Sequence, residues 1–246
     1  MVMPDPVPNA ELLRSLGRLV RGLSALFWGL PIALITCVWT AYPQLVKSFG
    51  FVPPLAATGL LVYGLWQIAG FQKQERVWRS ALDIATVLAI INFGLSPFVF
   101  WWSRVPGNRF FLIMLILMAV FGLLFLCSVN LVLRRLGAML PDEALRIEIR
   151  QFTAFNFNLI GATFIIGLIY SLLLEAQAPP DWLKPVADMF ERQAVPFWFQ
   201  NALNAFVRLG PWFLLLLVLL PLAMTMALIW KTKEVILENV FGGGGI

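Results

Sequence analysis

Six long apolar runs, at about 23–41, 51–71, 83–103, 110–133, 152–174 and 210–230, alternate with short polar stretches along the chain. Each is near the ~20 residues that a helix needs to cross the hydrocarbon of a bilayer. Water cannot satisfy backbone groups at that depth, so each run is expected as a helix that pairs its own donors and acceptors. The pattern predicts an all-α, polytopic integral membrane protein with six transmembrane helices, forming one membrane domain over residues 1–246. No polar stretch is long enough for a separate soluble domain.

The flanking segments add amphipathic elements. Over 10–23, Leu12, Leu13, Leu16, Leu19, Val20 and Leu23 recur at helical spacing, with Arg14, Arg18 and Arg21 on the other face. That pattern predicts an interfacial helix lying on an anionic leaflet. The segment 175–209 holds Pro179-Pro180-Asp181, a turn with Asp181 as helix cap, and 186–193, a short helix. After Pro196, an apolar face of Phe197, Trp198, Phe199, Ala202, Leu203 and Phe206 predicts a further interfacial helix or a shallow re-entrant hairpin. Beyond the last run, 231–246 continues as a helix ending in four glycines and Ile246. Val235, Ile236, Leu237, Val240 and Phe241 are apolar there. A short helix outside the membrane cannot bury them alone, so Val240 and Phe241 are expected to contact a partner.

Charge sets the expected orientation. Twelve of the 18 Lys and Arg fall on one side of the six runs: Arg14, Arg18, Arg21, Lys73, Arg76, Arg79, Arg134, Arg135, Arg146, Arg150, Lys231 and Lys233. The other side carries Lys47, Arg104, Arg109, Lys184, Arg192 and Arg208. Basic loops stay in the cytoplasm, so both termini are expected there. Trp39, Tyr42, Trp101, Trp102, Trp212 and Trp230 stand at run ends, where a ring that is part apolar and part polar is best placed. No cleavable leader is expected, because the first apolar run is too long for one and lacks a small-x-small site. The absence of an N-x-S/T sequon fits a bacterial inner membrane.

Within the runs, three features stand out. Pro31, Pro97 and Pro221 each remove a backbone donor and free the carbonyls of Phe27, Phe93 and Leu217. Small residues recur every four positions at Ala81, Ala85 and Ala89, followed by Asn92 and Ser96, and in shorter form at Ala154, Asn158 and Ala162. Such faces let helix backbones approach closely in lipid, so spans three and five are expected at the centre of the bundle. Spans four and six are Leu, Phe and Ile all round and are expected to face lipid. Asn130, Asn156 and Asn158 lie within about 10 Å of the same boundary at 1.5 Å per residue, so a polar seam that glues helices together is expected.

Composition fits this picture: 60% of residues are hydrophobic and 13% charged, where soluble domains run about 25% charged. The mean hydropathy is +0.84. There is no histidine, which removes His-ligated haem, the usual catalytic zinc sites and the Ser-His dyad. Cys37 and Cys127 differ in depth by roughly 10 Å at the helical rise, too far for a disulfide, and are read as packing residues. No phosphate loop, metal-ligand spacing, dinucleotide fingerprint or nucleophile elbow occurs. No acid, Lys or Arg lies near the middle of a run, where a proton relay needs one. No cofactor, no metal and no nucleic acid is expected, because the net charge of +5 reflects topology.

The layout of six spans, cytosolic termini, a basic interfacial helix first and amphipathic helices before span six is similar in architecture to the permease half of some export-type ABC transporters. That resemblance implies a transport role with a separate energy-supplying subunit. The absent chemistry and the small-residue faces point instead to a non-enzymatic membrane subunit of a larger complex, whose partners are the lipid bilayer and other subunits or copies of itself.

Overall fold

The structure is a computed structural model, and it describes residues 10–41, 50–71, 76–139, 143–177 and 197–241. Among them every regular element is an α-helix. These are α1 (Ala10–Ala41), α2 (Val52–Ala69), α3 (Arg76–Leu95), α4 (Pro97–Arg104), α5 (Arg109–Met139), α6 (Glu143–Gln177) and α7 (Phe197–Phe241). Among the described residues, six stretches are long and apolar enough to cross a membrane: Arg14–Ala41, Val52–Ala69, Trp78–Arg104, Arg109–Met139, Arg146–Ser171 and Arg208–Glu238. The protein is therefore a multi-pass membrane protein of the all-α class. The expected turn at Asp181, the helix at 186–193 and the four glycines at 242–245 with Ile246 lie outside the described residues.

The chain divides into two compact units, residues 1–156 with 222–246, and residues 157–221. In the first, α1 packs most closely on α2, and α3 on α5 and α2. The α1 positions Leu19, Leu23, Leu26, Leu30 and Ala33 are buried, as are Gly22 and Gly29. On α2 the buried set is Pro54, Ala57, Thr58, Leu61, Gly64, Leu65 and Ile68. Both series step by three and four residues, the 3.5-residue repeat that makes helices coil left-handedly around each other. The glycines set the crossing. A Cβ on Gly22 would stand 2.7 Å from the carbonyl oxygen of Gly64, and one on Gly64 would stand 3.1 Å from that of Gly22.

Two connections differ from the expectation. Residues 10–41 form one unbroken helix, so the amphipathic segment 10–23 is not a separate interfacial element. Its Leu19 and Leu23 are covered by protein, while Arg14, Arg18 and Arg21 are exposed. An amphipathic pattern fixes which face is apolar, and here α2 supplies the cover that a leaflet would otherwise supply. Likewise Phe197–Phe241 is one helix, without a break between the aromatic segment and span six. Gly210 sits inside it because a Cβ there would overlap the Tyr170 ring.

Spans four and six expose apolar side chains over much of their length, among them Ile113, Ile116 and Leu124 on α5 and Phe213, Leu216 and Leu220 on α7, as expected of lipid-facing helices, and each buries one stretch toward the Arg-rich side. Phe125, Leu126, Val129, Leu133 and Leu136 of α5 are buried, and so are Leu222, Leu228, Ile229 and Ile236 of α7. Past the apolar runs, α5, α6 and α7 stay helical on the Arg-rich side. There Ile149 and Ile236 are buried, and a Cβ on Gly137 would meet Ile149 at 2.5 Å. Lys231 and Glu148 form an ion pair there. The chain thus covers Ile236 itself, which corrects the expectation that a partner must do so. The side chains of Val240 and Phe241 lie outside the described residues, although their backbone belongs to α7.

A buried polar cluster and a candidate assembly face

Three polar side chains on α5, α6 and α7 meet in the core of the first unit. Asn130, Asn156 and Thr225 are each 0% exposed. The Asn130 amide nitrogen donates to the Leu126 carbonyl at 2.8 Å and to Thr225 Oγ1 at 2.9 Å. The Asn156 amide nitrogen donates to Asn130 Oδ1 at 3.1 Å and to Thr225 Oγ1 at 2.9 Å. Such bonds between helices in lipid are worth about 0.6–2 kcal/mol each. The third member, Thr225, escaped the sequence reading. It stands four residues after Pro221, and only depth matching to Asn130 and Asn156 could have pointed to it.

Hydroxyls also meet two of the three carbonyls that prolines free. Pro97 ends α3, and Ser96 between the two helices donates from Oγ to the Phe93 carbonyl at 2.9 Å. The Thr58 hydroxyl of α2 donates to the Pro54 carbonyl at 2.8 Å, and its Oγ1 stands 3.3 Å from Ser96 Oγ. In the second unit the Thr163 hydroxyl of α6 donates to the Leu159 carbonyl at 2.8 Å, and its Oγ1 stands 3.4 Å from the Leu217 carbonyl left open by Pro221. Pro31 lies inside the unbroken α1. The junction of α3 and α4 at Ser96 thus lies against Thr58 of α2.

On α3, Ala81, Ala85 and Ala89 are 5%, 0% and 2% exposed, with Asn92 and Ser96 buried on the same side. Asn92 donates to the Leu88 carbonyl at 2.9 Å. Its Oδ1 lies 3.8 Å from where a Cβ on Gly122 of α5 would stand. Ile84, Val87 and Ile90 cover the opposite, exposed side.

The corresponding face of α6 turns the other way. Ala154, Asn158 and Gly161 are exposed and Ala162 is half-buried, while Asn156, Ile160 and Thr163 are buried. Asn158 thus stands apart from the cluster formed by Asn130 and Asn156, which corrects its assignment to one seam. The reason is angular: at 100° per residue, positions two apart on a helix point about 200° away from each other. The described residues make no hydrogen bond to the Asn158 side chain. A Cβ on Gly161 would meet nothing within 4 Å. Asn158 lies eight residues after Arg150, the last charged residue before the apolar run, or about 12 Å along the helix. It is an exposed amide inside the apolar part of a membrane helix.

No family model, curated protein or solved structure matches this chain.

Proposed function

We propose that the protein is a non-catalytic integral membrane subunit of a larger complex, and that it contributes helix-packing surfaces. The carrying observation is Asn158. An amide left without a partner in hydrocarbon costs several kcal/mol, and Asn side chains within membrane helices hydrogen-bond across to neighbouring helices. In this chain the amide faces outward, beside a glycine whose small size serves no contact among the described residues. A neighbouring helix that covers this face removes the cost.

The reading places the chain in a bacterial inner membrane with both termini in the cytoplasm. Support comes from the basic residues: Arg14, Arg18, Arg21, Arg79, Arg134, Arg135, Arg146, Arg150, Lys231 and Lys233 flank the spans on one side. Reporter fusions at position 190 and after position 240 should report opposite sides of the membrane.

Purification in mild detergent tests the role. The expected result is a particle heavier than one 27.7 kDa chain, without ATP hydrolysis. Co-purification of an ATP-hydrolysing subunit would favour the permease role implied by the ABC-type layout. A lone chain would contradict both.

A further inference from the structure

We propose that two copies of this chain associate in the membrane through their α6 faces, with the two Asn158 amides hydrogen-bonded to each other across a two-fold axis. The inference rests on Asn158 as an assembly contact and names its occupant. Depth selects that occupant. Copies inserted with the same orientation carry Asn158 at the same level, so each brings an amide to the depth where the other needs one. Chemistry selects it too, because an amide has both an oxygen acceptor and an NH2 donor, so two identical side chains satisfy each other. A two-fold interface presents the same patch on both sides, as this pairing demands.

The surrounding residues fit a close, parallel contact. Asn158, Gly161, Ile165 and Leu168 follow a 3-4-3 spacing, and all four are exposed. That repeat is the seam of a left-handed helix pair. Gly161 lets the backbones approach, since open space surrounds the position of its missing Cβ. One Asn in an otherwise apolar seam also fixes register, because sliding by one turn separates the amides by about 5.4 Å. Phe164 is exposed as well, but it lies about 120° around the helix from Asn158 and outside the seam.

Cysteine crosslinking in membranes of cells making the full chain tests the geometry, with the wild-type protein and its Cys37 and Cys127 as baseline. Asn158→Cys, Gly161→Cys and Ile165→Cys should each give a covalent dimer on mild oxidation, and Phe164→Cys should stay at the baseline. Equal crosslinking at all four positions, or none at any, would overturn the proposal.

A second measurement follows the dimer by energy transfer between labelled copies in phosphatidylethanolamine–phosphatidylglycerol vesicles. Asn158→Leu should raise the dissociation constant about 5- to 30-fold, while Asn158→Gln, which keeps the amide, should stay close to the wild type. Folding is not at risk in the leucine variant, because the position faces outward. An unchanged constant in Asn158→Leu overturns the proposal. If the wild-type chain does not self-associate but a different polypeptide crosslinks to the Asn158→Cys variant, the two-fold pairing fails and the assembly role stands. If neither occurs, both fail.

Discussion

Asn156 donates to the side-chain oxygen of Asn130 at 3.1 Å, and both amides reach the single hydroxyl of Thr225 at 2.9 Å. Three helices far apart in sequence are joined at one buried point. None of the three groups carries a charge, so the cluster supplies cohesion without the desolvation penalty of an ion pair.

Asn156→Leu should lower stability by about 1–3 kcal/mol, because it leaves Asn130 and Thr225 each short of a buried partner. Asn158→Leu, two residues on, should leave the stability of the single chain unchanged or raised. Thermal unfolding in lipid–detergent mixtures at high dilution checks both. Similar losses at the two positions would show that Asn158 is covered within the chain.

The Ser96 hydroxyl matters because Pro97 frees the Phe93 carbonyl. Ser96→Ala should cost about 1–3 kcal/mol in the wild type. In a Pro97→Ala background the cost should shrink, since alanine brings back a backbone N–H that can donate to the Phe93 carbonyl. A double-mutant cycle on unfolding free energies measures the difference, and additive effects would contradict the coupling.

Ala85→Leu should destabilise the protein by about 1–3 kcal/mol, since the site is fully buried and extra methylenes force neighbours off their rotamers. Val87→Leu, at a position 56% exposed, should change little. Comparing the two by retention of a monodisperse detergent peak on heating decides whether the alanine face meets protein. Equal behaviour would place it against lipid.

The spans were legible because apolar length is a strong signal. The Asn130–Asn156 contact lay within reach of a depth argument, since both residues sit near one boundary. Other features were hidden for physical reasons. The α1–α2 seam depends on Gly22 and Gly64, and in a helix that is apolar all round no polar face marks the packed side. A small-residue spacing also says nothing about sides: Ala81, Ala85 and Ala89 are buried, whereas Ala154 and Asn158 share the same four-residue step and are exposed. Segments 10–23 and 197–209 look interfacial because amphipathicity alone does not say whether lipid or protein covers the apolar face. Each continues into the span that follows it.

The central claim is that this chain works as an assembled subunit through an outward α6 face. The most direct test is the mass of the particle extracted together with its native lipids, for the wild type and for Asn158→Leu. The account predicts a wild-type particle that exceeds one 27.7 kDa chain by at least one further polypeptide, and an Asn158→Leu sample with a larger share of single folded chains at the same concentration. A wild-type particle containing one chain, or identical masses for the two proteins, would contradict it.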